Sequence, residues 1–205
     1  MAKEIETELL DLLQELKDSQ SENQLSEIYS DTYSNGMIGG PYDWQKDFHD
    51  HGFDHRERAI IAGNRVGKTR TAAAEVAIHL TGQYPKWWRG RQFVQATDWI
   101  VAAPTNELSR DILQLALVGA IREGEKAPDG TGWIPSNCIV DYSWRQCGVS
   151  NVMDTIRVRH VSGGTSLCTF KSYEQGPIKF QGVARDGVWL DEEPTDYEIY
   201  TESLT

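Results

Sequence analysis

Residues 58–69 read Arg58-Ala59-Ile60-Ile61-Ala62-Gly63-Asn64-Arg65-Val66-Gly67-Lys68-Thr69, and from Lys68 to Leu80 Ala, Val, Ile and Leu recur at helical spacing with no proline. A short apolar run, a glycine-containing turn and a helix, in that order, make a phosphate-binding loop. Backbone N–H groups must converge on phosphate oxygens, and a glycine turn at a helix N-terminus supplies them without steric cost. Gly63 and Gly67 give that freedom, and Asn64, Arg65 and Val66 complete the turn. Lys68 is spaced to reach the β and γ phosphates, and Thr69 to place its hydroxyl on Mg²⁺. Ala62 stands where the motif's first glycine is expected. The plainer alternative is a turn that only joins a strand to a helix.

A second stretch argues against that alternative. Gly187-Val188-Trp189-Leu190-Asp191-Glu192-Glu193 is an apolar strand that ends in adjacent carboxylates. In open α/β sheets the carboxyl ends of the strands face the ligand crevice, so Asp191 is expected at the Mg²⁺ held by Thr69. Glu192, the next residue, is expected to polarise an attacking water as general base. Glu193 is the fallback, set second because consecutive residues leaving a strand point to opposite sides. Loop and acids together predict a hydrolase rather than a binder.

Upstream, Pro41-Tyr42-Asp43-Trp44-Gln45-Lys46-Asp47-Phe48 sets a glutamine among aromatics. The Gln45 carboxamide can pair with the N6 and N7 edge of adenine, which would select ATP. Trp44 and Phe48 read more simply as core anchors. His49-Asp50-His51-Gly52-Phe53-Asp54-His55 has the composition of a metal cluster without a recognised ligand spacing, and is read as a polar connection.

The formal charge of -11 is uneven. Residues 1–57 hold 14 Asp or Glu against 4 Lys or Arg, a balance of -10, whereas residues 58–205 hold 17 against 16, a balance of -1. The basic face expected of a protein that grips DNA with this chain alone is missing, so any DNA contact is local or lies elsewhere. At 205 residues and 39% hydrophobic content there is enough material for one cored domain. No stretch approaches a membrane span, and the N-terminal residues lack the apolar segment of a signal peptide. A cytoplasmic protein is expected. Cys138, Cys147 and Cys168, an odd number without Cys-x-x-Cys spacing, read as reduced packing residues.

Two regions emerge. Residues 1–40 comprise an acidic amphipathic helix over Ile5–Lys17, with Leu9, Leu10, Leu12, Leu13 and Leu16 as its stripe, and an irregular connection rich in Ser, Asn and Gly. Residues 41–205 alternate strands and helices. Trp99–Ala103 reads as a second buried strand, Asn106 as the cap of a helix reaching about Glu123 on a Leu108, Ile112, Leu115, Val118 stripe, and Thr155–Val161 with Ser166–Phe170 as a hairpin. The fold class is α/β, with a mainly parallel β-sheet flanked by helices.

With these motifs in hand, the chain resembles the ATPase domain of the large terminase subunit of tailed bacteriophages. The likeness rests on the Pro41–Gln45 segment, Gly63–Thr69, His79-Leu80-Thr81-Gly82-Gln83-Tyr84-Pro85-Lys86-Trp87-Trp88, Lys179-Phe180-Gln181-Gly182 and Trp189–Pro194. It implies a P-loop NTPase of the ASCE type that hydrolyses ATP with Mg²⁺ and drives double-stranded DNA into a procapsid. The implied partners are the portal, the small terminase subunit and further copies of the chain in a ring of five, in the host cytoplasm and without a membrane. It places Gln45 at adenine, Lys68 and Thr69 at phosphate and Mg²⁺, Asp191 at the metal, Glu192 as base and Arg65 as a sensor of the γ-phosphate. An arginine donated to a neighbouring subunit is also implied, with Arg185 as candidate and Gln181 near where some relatives carry it. The family continues into a coupling strand and a nuclease domain. The chain ends 13 residues past Glu192, so it is expected to be an incomplete or split version, without nuclease activity of its own. Competing readings are a helicase-like P-loop ATPase and a non-catalytic assembly module stabilised by nucleotide.

Overall fold

The computed structural model describes residues 24, 25, 29, 41–121, 127–182 and 184–204. The expected acidic helix at 5–17, most of the connection after it and the last residues of the helix expected to reach Glu123 lie outside them.

Helix α1 spans Asp43–Asp50 and helix α2 Lys68–Thr81. Strand β1 (Asp98–Ala103) comes next, then a three-part helix α3: an α turn Asn106–Leu108, a π-helical stretch Ser109–Gln114 and an α turn Leu115–Val118. Strands β2 (Ile139–Trp144), β3 (Met153–Arg159), β4 (Thr165–Ser172) and β5 (Gly187–Leu190) complete the sheet, and helix α4 (Tyr197–Glu202) comes last. The sheet order is β2-β3-β4-β1-β5.

β1 is the centre of the architecture. Its alternate side chains enter two cores: Trp99, Val101 and Ala103 join α2 in the larger one, while Ile100 and Ala102 join Tyr173, Phe180 and Ile199 on the opposite face. A strand buried on both faces reads as a continuous apolar run, which is why Trp99–Ala103 was legible. α2 is framed by two glycines in the left-handed region, Gly67 (φ 97°) and Gly82 (φ 72°). A Cβ on Gly82 would lie 2.4 Å from Nε2 of His160, so this position excludes any side chain by space as well as by dihedral.

Three expectations change. The sheet is mixed: β1 pairs in parallel with β4 and β5, but β2, β3 and β4 run antiparallel. Parallel neighbours need a crossover of a dozen residues or more, and the links on either side of β3 are too short for one. The expected helical stripe is also displaced. Val118 is buried and Ile112 packs against the core as expected, but Leu108 and Leu115 are exposed, and Leu113, Leu117, Ser109 and Gln114 are buried in their place. The π-helical stretch adds a residue to the turn and rotates the residues C-terminal to it about the helix axis. It lets Gln114 accept a hydrogen bond from Met153 N at 2.9 Å and donate to Asn151 O at 3.0 Å, tying α3 to the start of β3. The cap of α3 is Thr105, whose hydroxyl accepts from Leu108 N at 3.2 Å, rather than Asn106.

The third change concerns the run before the Gly63–Thr69 loop. Arg58–Ala62 forms no strand, and Ile61 is 96% exposed. Among the described residues β5 ends the sheet, and 58–62 does not pair with it. An apolar run states only that burial is favourable; a strand exists when a partner edge supplies hydrogen bonds. Side chains hold the segment instead: Arg56 donates to Leu204 O, Tyr200 to the Glu57 carboxylate and Arg58 to Glu75 and Phe48 O.

Candidate functional site

The loop Gly63–Thr69 turns into α2 through the left-handed Gly67, and Arg65 is also left-handed at φ 62°. Such a backbone for a non-glycine residue costs energy and is found where a loop is shaped for a ligand. Lys68 Nζ donates back to Ala62 O at 2.8 Å and Gly63 O at 3.0 Å, so its ammonium sits inside the turn that anionic oxygens would enter. Asn64, Arg65 and Val66 are exposed and Thr69 half-buried.

Opposite stands the end of β5. Burial pushes the Asp191 carboxyl above its ordinary value, the neighbouring Glu192 adds to this, and the Lys68 ammonium pulls it back. The Asp191 carboxyl thus lies within reach of the Lys68 charge, while the Lys68 ammonium itself is bonded to the loop carbonyls. Glu192 and Glu193 are exposed, and Glu192 adopts φ 63°. The chain thus bends at Glu192 rather than continuing extended, so the alternation that ranked it above Glu193 does not operate here. Tyr173, which no motif marked, braces this bend: its hydroxyl donates toward Asp191 O and Glu192 O, each at 2.9 Å.

Gln45 lies beside the loop but faces inward. It is 3% exposed, its Oε1 accepts from Tyr42 N at 2.8 Å, and its Nε2 donates to Thr71 Oγ1 at 2.6 Å. Nε2 would be only 3.2 Å from a Cβ on Gly67, so the carboxamide packs on the loop's pivot. A cavity of about 480 Å³ opens here, lined by Tyr42, Trp44, Gln45, Arg65, Val66, Gly67 and Arg70. Trp44 borders this cavity and is half-buried, as is Phe48, so neither is the deep anchor expected.

Arg185 pairs with Asp98 at the start of β1. That is the opposite end of β5 from Asp191, so within its own chain Arg185 is remote from the acids. The three cysteines are free, with Cys138 and Cys168 buried and Cys147 half-buried.

The His49–His55 stretch divides. His51 and His55 are exposed, but His49 is fully buried in α1 and donates from Nδ1 to the Glu75 carboxylate at 2.7 Å, which corrects its reading as part of a polar connection. Among the described residues no group of three or more His, Cys, Asp or Glu could hold a metal. A lone carboxylate with a hydroxyl is nonetheless what Mg²⁺ takes from a protein when phosphates supply its other oxygens. Thr69 and Asp191 offer such hard oxygen donors.

A glycine loop at the N-terminus of α2 and carboxylates at the carboxyl end of β5 stand on a mixed α/β protein, a five-stranded sheet flanked by helices. The family described as "Terminase large subunit, T4likevirus-type, N-terminal" matches residues 59–205, and the chain belongs to the terminase large subunit family. It is 37% identical, over 223 aligned positions, to the "Terminase, large subunit" of Salmonella phage P22. That alignment takes in 100% of this chain and 42% of the phage P22 protein, so the chain spans less than half the relative's length. No solved structure matches it. Among the described residues no helix is long and apolar enough to cross a membrane.

Proposed function

We propose that this chain is the ATP-hydrolysing motor region of a phage large terminase, powering movement of double-stranded DNA into a procapsid. The observation that carries the reading is the glycine loop at the N-terminus of α2, where left-handed Gly67 opens the helix and Lys68 Nζ folds back onto Ala62 O and Gly63 O inside the turn. On this reading Lys68 exchanges its two loop carbonyls for phosphate oxygens, and the loop N–H groups take the remaining anionic charge. Thr69 and Asp191 would hold Mg²⁺, which supplies charge neutralisation at the phosphates. Glu192 takes the proton of the attacking water. Its exposure keeps it accessible, and the Tyr173 brace fixes the backbone that aims it. The base occupies the cavity beside Gln45, where Tyr42 and Trp44 offer faces for stacking. The near-neutral balance of residues 58–205 fits a motor that meets DNA locally and is held on the portal by assembly, with the small subunit and further copies of the chain as partners.

The test is ATP hydrolysis measured alone, with double-stranded DNA, with single strands and with procapsids. Stimulation by procapsids supports packaging. Stimulation by single strands points to unwinding, and tight binding without turnover under all conditions points to an assembly module; either would overturn the proposal. Glu192→Gln should keep nucleotide affinity and lower turnover by roughly 10²- to 10⁴-fold. Undiminished hydrolysis in that variant would remove Glu192 from the chemistry.

A further inference from the structure

Glu75 is the one carboxylate among the buried residues of α2, between Thr71 and His79 on a helix otherwise packed through Ala, Val, Ile and Leu, and it is 5% exposed. Four groups converge on it or on its partners. His49 donates from Nδ1 at 2.7 Å, Arg58 donates through both terminal nitrogens, one of them at 3.1 Å, and His79 Nε2 lies at 3.5 Å. Tyr29 closes the far side, its hydroxyl 3.1 Å from His49 Nε2. Burial by itself would raise the Glu75 carboxyl, but the hydrogen bonds from His49, His79 and Arg58 outweigh it and hold the group well below the usual carboxylate range. A buried charge is tolerated only with such partners.

The arrangement obeys a repeat. Gln45 and His49 stand four residues apart on α1, and Thr71, Glu75 and His79 stand four apart on α2, so one polar row meets the other. Gln45 contacts Thr71, and His49 contacts Glu75. Thr71 also donates to Gly67 O at 2.9 Å, the pivot of the phosphate loop. Arg58 reaches in from the other end of the loop, lying 4.5 Å over the Phe48 ring and donating to Phe48 O at 2.7 Å. The aromatic run after α2 forms the wall of this chamber. Trp88 packs 4.8 Å from His49, Trp99 stacks on His79 at 5.2 Å, and the Tyr84 hydroxyl is 3.0 Å from His79 Nδ1. The His79–Trp88 segment, part of the family likeness, therefore has a physical role as the apolar enclosure of the Glu75 cluster.

We propose that Glu75 is a positioning residue of the phosphate loop. It clamps Arg58, on the segment entering the loop, and His49, on the base-side helix, to the helix that leaves the loop. The entering segment lacks a sheet ladder among the described residues, so its place depends on side chains, and it is tied to α2 by Arg58 at Glu75 and by Lys68 at Ala62 O. With the clamp closed, the loop N–H groups, Lys68 and the base cavity keep one relative geometry before nucleotide arrives, and binding then costs less ordering.

This inference rests on the nucleotide reading of the same loop, so its test has one readout that needs no nucleotide. In the full-length protein, tryptic cleavage after Arg65 should be several-fold faster in Glu75→Gln and in Arg58→Lys than in the wild type, at equal resistance elsewhere. The dissociation constant of Mg-ATP should rise about tenfold in both, with kcat at saturation within about twofold. The Glu75→Gln/Arg58→Lys double variant should be no worse than the worse single one, as expected of groups acting as a unit. Arg58 is on the surface side of the cluster, so its variant keeps the test open if Glu75→Gln does not fold. Unchanged cleavage at Arg65 in folded variants overturns the clamp, as does a lowered melting temperature with unchanged nucleotide affinity. A wild type that binds no Mg-ATP while its variants are still cut faster would sink the ATPase reading and leave the clamp standing.

Discussion

The two flanks of the Gly63–Thr69 loop have similar apolar character and opposite fates. Downstream, α2 carries Ala73, Ala74, Val76, Ala77, Ile78 and Leu80, all buried. Upstream, Ala59, Ile60, Ile61 and Ala62 run just as apolar, yet Ile61 lies almost wholly in solvent. A helix satisfies its backbone internally and needs only a surface to pack on, which β1, β3 and β4 provide. An extended segment needs a neighbouring edge as well. The loop therefore joins a well-determined half to one held by a few polar side chains, and that contrast explains why a buried carboxylate is placed between them.

The contrast can be broken or sharpened by measurement. The largest effect is expected from Ile78→Ala on the buried flank, a loss of about 2–5 kcal/mol in denaturant unfolding. A loss below about 1 kcal/mol would mean that α2 does not anchor the loop. Acidification comes next. His79 has its pKa lowered by burial, so the unfolded chain binds the extra proton first. Stability supplied by the neutral imidazole is present above about pH 6.5 and falls as the pH drops below that value. Glu75, also depressed, adds a second loss that begins below about pH 4.5, because the unfolded chain takes up a proton there while the clamped carboxylate stays ionised. Melting temperatures taken from pH 8 to pH 4 should fall in that order, and a stability that rises on acidification would contradict the cluster. A smaller change of opposite sign is expected from Asp191→Asn. The Asp191 carboxyl is raised by burial and by Glu192, so its charged form opposes folding at neutral pH. Nucleotide-free Asp191→Asn should melt higher than the wild type while losing hydrolysis, the trade expected where strain serves a site. The smallest effect belongs to Ile61→Ala, expected within about 0.5 kcal/mol of the wild type because the side chain contributes almost no burial.

Much of the central scaffold was legible because its elements carry local signals. Gly67 and Gly82 bracket a helix whose interior is nearly all apolar, Trp99–Ala103 is an unbroken buried run, and Ser162-Gly163-Gly164-Thr165 separates the two strands of a hairpin. What could not be read were features created by partners distant in sequence. The displaced stripe of α3 comes from a π-helical turn that lets Gln114 meet β3. Tyr173 braces the acids only because β4 delivers it beside the end of β5. The Glu75 cluster left a trace that periodicity could have exposed, since a glutamate and a histidine four apart on an apolar helix face demand buried partners.

By itself the sequence determined the order of the pieces: a glycine loop ahead of a helix, an apolar strand ending in Asp191 and Glu192, and a terminase-like set of motifs, all written in neighbouring residues. Tertiary structure alone decided that Lys68 folds back onto the loop carbonyls, that Gln45 turns toward Thr71, that Arg185 is taken up by Asp98, and that Arg58, His49 and His79 meet at one carboxylate. The physical reason is that a dihedral preference is a property of a few adjacent residues, whereas the energy of a charge depends on every group packed around it.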